Sequence, residues 1–107
     1  MAKKIRVLIT DDHRVVREGL SAILDTKEEI EIVGEASDGG EAVEKARKLL
    51  PDVIVMDVSM PGMNGVEATR IIKKELPQIG IIALTMYDDQ RYIFDLVRAG
   101  ATGYLFK

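Results

Sequence analysis

Cysteine is missing from this sequence of 107 residues, and the one histidine is His13. Without cysteine the chain forms no disulfide, carries no thiol nucleophile and offers no thiolate to a metal ion. A single histidine cannot build a zinc cluster, which needs several nitrogen or sulfur ligands. We therefore expect any metal ion to be held by oxygen atoms, and we assign His13 no role.

A long apolar run and an excess of positive charge are also missing. No stretch approaches the roughly eighteen consecutive apolar residues of a membrane span, and the start MAKKIRVLIT lacks the apolar core and cleavage site of a signal peptide. Lysine and arginine number 15 against 18 aspartate and glutamate, a net charge of −3. This balance is unfavourable for binding nucleic acid phosphates. We expect a cytoplasmic segment that contacts no membrane and does not itself bind DNA.

The residues that are present favour one compact α/β domain. Hydrophobic residues make up 47% of the chain, which is enough to bury a core. Apolar runs rich in β-branched residues predict buried strands at Ile5–Thr10, Val53–Met56 and Ile81–Leu84. A weaker strand is predicted at Ile30–Ser37 and a fifth at Gly103–Phe106.

Between the strands, apolar residues recur at helical spacing. They are Val15, Val16, Leu20, Ile23 and Leu24; Ala42, Val43, Ala46, Leu49 and Leu50; Ile71 and Ile72; and Ile93, Phe94 and Val97. Asp38 precedes Glu41 as in a capping box, and Pro51, Pro77 and Gly100 fall where helices should end. The alternation predicts a doubly wound, five-stranded parallel sheet of order 2-1-3-4-5, with right-handed crossovers that put the first helix alone on one face.

Chemically useful side chains follow the predicted strands. Asp11 and Asp12 close the first strand, Asp57 the third and Thr85 the fourth, and Lys107 follows the fifth. Ligands bind outside the carboxyl ends of such strands, where the strand order reverses. Clustered carboxylates repel and need a cation, and oxygen donors suit Mg²⁺. A carboxylate here could accept a phosphoryl group, with a hydroxyl and an ammonium group stabilising the transferred oxygens.

Four segments carry a resemblance to a known family. The sequence resembles receiver domains of two-component response regulators, CheY-like domains of the NarL/FixJ (LuxR-type) branch, in TDDHRVVREGL, DVIVMDVSMPGMNGVEA, ALTMYDD and AGATGYLFK. The resemblance implies that Asp57 is the phosphoacceptor and that Asp12 binds Mg²⁺ directly. It also implies that Asp11 binds mainly through water and that the backbone carbonyl of Ser59 is a further ligand.

The resemblance assigns a switch and partners as well. Thr85 and Lys107 would contact the phosphoryl oxygens, and the Tyr104 ring would change rotamer when Thr85 moves inward. Met86 departs from the small residue usual after Thr85, and would cover the route of water to the phosphorylated site. The phosphoryl donor in this family is a phosphohistidine on a sensor histidine kinase.

The sequence as given looks like a receiver domain over residues 1–107, truncated after the fifth strand. This family branch continues with a fifth helix and a C-terminal helix-turn-helix domain that binds DNA. Without the fifth helix we expect an exposed apolar sheet face that destabilises the chain or lets it self-associate. An intact chain would form homodimers through helices one and five, or four and five.

Other interpretations remain open at this point. Taken singly, the aspartates and Thr85 could be helix caps and Lys107 a solvated end, but chance placement at four strand ends is improbable. The same fold could serve as a flavodoxin-like cofactor-binding module. It could also be a Mg²⁺-dependent phosphatase with an aspartyl nucleophile. The resemblance instead implies a signalling switch, which is not an enzyme.

Overall fold

A computed structural model describes residues 4–28, 30–57, 65–85 and 103–106, with the backbone alone described in 83–85 and 103–106. Strands and helices alternate along the chain. They are β1 (Ile5–Thr10), α1 (Arg14–Asp25), β2 (Ile30–Ala36), α2 (Gly39–Leu49), β3 (Val53–Asp57), α3 (Gly65–Glu75), β4 (Gly80–Thr85) and β5 (Gly103–Phe106). The helix predicted around Ile93, Phe94 and Val97 lies outside the described residues.

The sheet confirms the predicted topology. Its five strands run in the order β2-β1-β3-β4-β5, and every neighbouring pair is parallel. The apolar runs became these strands because parallel strands with helices on both faces are buried from both sides. The strand order reverses between β1 and β3, so the crevice expected to bind ligands opens at their carboxyl ends.

The hydrophobic core forms two layers, one on each face of the sheet. Alternate strand residues point to opposite faces, so neighbours in β1 enter different layers. The larger layer packs beneath α2 and α3 and contains Leu8, Ala36, Ala42, Val43, Ala46, Ile54, Met56, Ala68, Ile72, Ile79 and Ile81. The smaller layer contains Val7, Ile9 and Val55, covered by Leu20 and Leu24 of α1. This confirms that α1 lies on the face opposite α2 and α3.

Helix α1 buries only part of its predicted apolar set. Leu20 and Leu24 face the sheet, whereas Val15 is 80% exposed and Ile23 is 63% exposed. At about 100° per residue, Val15 lies roughly 140° or more around the helix from Leu20 and Leu24. The periodicity therefore located the helix correctly, but its apolar surface is wider than the sheet beneath it.

Helix α2 begins with the predicted capping pair. The Asp38 carboxylate accepts a hydrogen bond from the backbone N–H of Glu41 at 2.8 Å, and the Glu41 carboxylate accepts one from the backbone N–H of Ser37 at 2.6 Å. Strand β2 ends at Ala36 instead of the predicted Ser37, because its partner β1 ends at Thr10, which pairs with Ala36. The helix ends before Pro51, where Leu50 takes a left-handed conformation with φ of 50°.

Among the residues that the structure describes, no helix is both long enough and apolar enough to cross a bilayer.

Candidate functional site

Three aspartates meet at the carboxyl edge of the sheet, where β1 and β3 lie side by side. The register pairs Thr10 with Met56, so Asp11 and Asp57 are level as the chain leaves these two positions. Oxygen atoms of Asp11, Asp12 and Asp57 and a ring nitrogen of His13 all lie within 4.8 Å of one another. The side chains of Asp11, Asp12 and Asp57 are called the acidic pocket below.

The acidic pocket concentrates negative charge away from water. Asp11 and Asp57 are fully buried, while the side chain of Asp12 keeps 26% of its surface exposed. Two unit charges 4.8 Å apart repel by about 3.5 kcal/mol at an effective dielectric constant near 20. The arrangement therefore favours a bound cation, in agreement with the expectation from the aspartates that follow the predicted strands.

The chemistry of these donors fits Mg²⁺. Carboxylate oxygens are hard ligands, and Mg²⁺ typically binds through one or two of them while keeping several waters. The partly exposed Asp12 side chain leaves one side of the pocket open to water. Asp11, Asp12 and Asp57 are thus the described residues that could hold such an ion.

His13 lies against the acidic pocket, although the sequence predicted no role for it. Its ring Nδ1 lies 3.1 Å from Oδ1 of Asp11 and 3.1 Å from Oδ1 of Asp12. Its backbone N–H donates to the same Asp11 oxygen at 2.8 Å. His13 is the N-cap residue of α1, yet its side chain makes no capping hydrogen bond. Its imidazole is therefore directed toward the carboxylates, and its position directly after two acids was the available signal.

Arg17 is a second residue that sequence reasoning missed. From the first turns of α1 its Nη1 donates to the backbone carbonyl of Asp11 at 2.6 Å. Its Nε donates to Oε1 of Glu35 in β2 at 3.2 Å, and only 18% of the side chain is exposed. The Asp11 backbone N–H meanwhile donates to the carbonyl of Ala36 at 3.0 Å. The loop that carries Asp11 and Asp12 is thus fixed from both β2 and α1.

The remaining predicted residues fall at the same edge or outside the described residues. Thr85 is the last residue of β4, one beyond Leu84, which pairs with Asp57. Thr85 itself pairs with Phe106, and Tyr104 pairs with Ala83. The backbone therefore brings the end of β4 beside Asp57, as predicted. Ser59, Met86 and Lys107 lie outside the described part of the chain.

An ion pair far from this edge links the two helices of the larger layer. Arg47 donates to both carboxylate oxygens of Glu75 at 2.7 Å. The hydrogen bond from Arg47, with its positive charge, lowers the pKa of Glu75, and the same bond raises the pKa of Arg47. Both side chains are about half exposed, so the pair stabilises the surface of the fold and not the acidic pocket.

Comparison with known proteins finds one family over most of the chain. Residues 7–107 match the family described as the response regulator receiver domain. The chain is 50% identical over 103 residues to the transcriptional regulatory protein LiaR of Bacillus subtilis (strain 168), covering 96% of this chain and 49% of LiaR. It is 48% identical over 104 residues to the oxygen regulatory protein NreC of Staphylococcus haemolyticus (strain JCSC1435), covering 96% of this chain and 48% of NreC.

A solved structure gives the same result for the fold. The signal receiver domain of the putative response regulator NarL from Mycobacterium tuberculosis superposes with a TM-score of 0.94 at 31% identity, covering 98% of this chain and 85% of that one. The curated relatives are longer, since the chain spans about half the length of LiaR and NreC.

Proposed function

This chain belongs to the response regulator receiver domain family, and we propose that Asp57 accepts a phosphoryl group from the phosphohistidine of a sensor histidine kinase. The observation that carries this proposal is the burial of Asp57 at the carboxyl edge of the sheet, within 4.8 Å of two other carboxylates and a histidine nitrogen. The three acids would hold Mg²⁺, and the pocket would act as a switch and not as an enzyme with an external substrate.

The position of Asp57 favours it as the nucleophile. It is the last residue of β3, and it is the aspartate that the resemblance in DVIVMDVSMPGMNGVEA makes the phosphoacceptor. A carboxylate oxygen of Asp57 would attack phosphorus in line with the P–N bond to the donor histidine. The P–N bond breaks, its electron pair returns to the imidazole, and an acyl phosphate forms on Asp57.

Asp12 would bind Mg²⁺ directly, Asp11 mainly through water, and the backbone carbonyl of Ser59 would be a further ligand. When bound, the ion neutralises the charge on the transferred oxygens. The Thr85 hydroxyl and the Lys107 ammonium group would contact those oxygens from the neighbouring strand ends. The pairing of β3 with β4 supports the placement of Thr85.

Movement of Thr85 toward the phosphoryl group would transmit the signal, with the Tyr104 ring changing rotamer in response. Thr85 lies in β4 and Tyr104 lies in β5, and these two strands are paired. A movement of the β4 backbone would therefore also displace the β5 backbone. We further propose that residues 1–107 act as the receiver of a longer regulator, in the cytoplasm, whose separate C-terminal domain binds DNA and controls transcription. The doubled length of LiaR, named a transcriptional regulatory protein, supports this, as does the net charge of −3 here.

We propose that phosphorylation promotes dimerisation of the chain. The outer side of α1 exposes Val15 and Ile23, which are apolar side chains suited to an interface that includes the first helix. We expect homodimers through helices one and five, or four and five, to form more readily after phosphorylation. Sedimentation velocity with and without acetyl phosphate tests this, and an unchanged sedimentation coefficient at every concentration would contradict it.

The decisive experiment is phosphoryl labelling of the intact chain. Incubation with acetyl phosphate and Mg²⁺ should add one phosphoryl group by mass spectrometry, and Asp57→Asn should add none. Asp52→Asn is the matched control, because Asp52 precedes the opposite end of the same strand and accepts a hydrogen bond from the backbone of Arg6. It should label normally. Full labelling of Asp57→Asn would show that another group is the acceptor.

The same experiment separates the two alternative functions. A flavodoxin-like module should retain a flavin and fail to label, although buried Asp11 and Asp57 are unsuitable neighbours for an anionic cofactor. A phosphatase should turn over phosphomonoesters many times, whereas a switch should label once and lose its label slowly.

A further inference from the structure

The position of His13 has a consequence for which metal ions the acidic pocket binds. Mg²⁺ is satisfied by carboxylate oxygens and water, so the three aspartates suffice for it. An imidazole nitrogen in the same cluster changes the donor set, because imidazole is a ligand suited to zinc, copper and nickel. The described donors are three carboxylates and one ring nitrogen, all within 4.8 Å.

The geometry is close to that of a shared metal site. Two donors that each bind one ion at about 2.1 Å can lie at most about 4.2 Å apart. The 3.1 Å separations of His13 Nδ1 from Asp11 and Asp12 already satisfy this limit. The widest separation in the cluster, up to 4.8 Å, requires a closure of roughly half an ångström. The His13 side chain is 57% exposed, so its ring has room to adjust toward an ion held by the carboxylates.

The backbone holds His13 in place for this role. Its N–H donates to Asp11 at 2.8 Å, and its carbonyl accepts the first helical hydrogen bond, from the N–H of Arg17, at 3.0 Å. The ring is therefore presented to the carboxylates by a residue anchored on both sides, while the ring itself makes no capping bond.

We propose that His13 is a fourth protein ligand for late first-row transition-metal dications, so that the acidic pocket binds Zn²⁺ or Cu²⁺ through Asp11, Asp12, Asp57 and His13. Mg²⁺ binds the same pocket without His13. This inference rests on the proposed function only in that it takes the acidic pocket as the Mg²⁺ site and places Zn²⁺ or Cu²⁺ in the same pocket. A four-coordinate ion held by four protein ligands has no open position for a phosphoryl oxygen, whereas Mg²⁺ keeps bound waters that such oxygens can replace. Zn²⁺ should therefore block phosphorylation that Mg²⁺ supports.

Binding measurements on the full, tag-free chain test the proposal. His13→Ala should weaken Zn²⁺ binding about tenfold or more in titration calorimetry, since loss of a mere supporting contact to a ligand typically costs that much. Its affinity for Mg²⁺ should fall less than its affinity for Zn²⁺, because His13 is not a Mg²⁺ ligand and contributes only its contacts to Asp11 and Asp12. His13→Asn, which keeps a residue favoured at helix N-caps, should show the same selective loss.

Spectroscopy identifies the ligand directly. Because the chain has one histidine, imidazole ¹⁴N coupling in the electron paramagnetic resonance spectrum of bound Cu²⁺ would come from His13 alone. It should be present in the parent protein and absent from both variants. Missing coupling in the parent, or equal losses of Zn²⁺ and Mg²⁺ affinity in the variants, would overturn the proposal.

Phosphoryl labelling distinguishes this inference from the proposed function. With Mg²⁺ and acetyl phosphate both His13 variants should label, and they should resist inhibition by Zn²⁺ that stops the parent. If the parent never labels with Mg²⁺ while the selective Zn²⁺ loss is observed, the proposed function fails and the metal inference stands. If labelling occurs but Zn²⁺ inhibits parent and variants equally, the role of His13 is refuted.

Discussion

Arg17 provides a quantitative test of how the acidic pocket is supported. Its guanidinium group joins the backbone carbonyl of Asp11 to the carboxylate of Glu35, so it links the loop that carries Asp11 and Asp12 to β2. Arg17→Ala removes both contacts at once. The Asp11 carbonyl then loses a donor at a fully buried residue.

The magnitude follows from those two contacts. A hydrogen bond from a charged donor contributes about 1.5–3 kcal/mol, and a buried acceptor left without its donor costs a similar amount. The ion pair with Glu35 adds less than about 1 kcal/mol, because the Glu35 side chain is 44% exposed. We expect Arg17→Ala to lower the free energy of unfolding by about 2 kcal/mol, which corresponds to roughly 10 °C in Tm for a domain of this size.

The same helix supplies a matched control. Arg14 pairs with Glu18 at 2.9 Å, but 82% of its side chain is exposed, and an exposed pair four residues apart on a helix contributes only about 0.3–0.5 kcal/mol. Arg14→Ala should therefore cost about a quarter of the stability lost in Arg17→Ala. Denaturant unfolding followed by circular dichroism measures both differences.

Mg²⁺ affinity shows whether Arg17 positions the loop that carries Asp11 and Asp12 or only stabilises the fold. Loss of an outer contact to a metal site typically weakens binding 10- to 100-fold, so Arg17→Ala should bind Mg²⁺ about tenfold more weakly while Arg14→Ala binds normally. Arg17→Lys keeps the charge but not the forked donors, and should fall between the two. Equal stability and equal Mg²⁺ affinity in Arg17→Ala and Arg14→Ala would refute the reasoning.

Three further changes test other parts of the molecule. Asp12→Ala should lose Mg²⁺ binding and phosphorylation together in calorimetry and mass spectrometry, while EDTA leaves the parent folded; unfolding by EDTA would mean that the metal is structural. Met86→Ala should speed both labelling by acetyl phosphate and loss of the label, and a change in neither rate would exclude Met86 from the water route. Glu75→Gln should be less stable than the parent at neutral pH. Because Arg47 lowers the pKa of Glu75, the contribution is complete above the unfolded pKa and disappears as the pH falls through the lowered value, so the two unfolding free energies should converge in acid.

Strands β1 and β3 were predictable because each is an apolar run whose later residues the sheet buries on both faces. Ile5–Thr10 and Gly103–Phe106 match the predicted bounds. Strand β2 ends one residue before its predicted bound, because β1 ends at Thr10, the residue that pairs with Ala36. Burial on α1 was less predictable, since Val15 and Ile23 share the helical period but lie beyond the edge of contact with the sheet.

The aspartates of the pocket were predictable for a topological reason. Parallel strands end at one edge, so Asp11 and Asp57 had to meet once the strand order was known. No comparable rule locates side chains that return to the pocket from a helix. Arg17 is six residues beyond Asp11 and reaches its carbonyl only because α1 turns back across the end of β1.

This difference has a physical basis in the fold. Carboxylates that repel one another by a few kcal/mol stay together only if the backbone that carries them cannot relax away. In this protein β2 fixes the Asp11 N–H through the Ala36 carbonyl, α1 fixes the Asp11 carbonyl through Arg17, and β3 fixes Asp57 through its pairing with β4. The charge cluster is therefore a product of the surrounding hydrogen bonds. Its affinity for a cation should respond to changes in those bonds even where no ligand is altered.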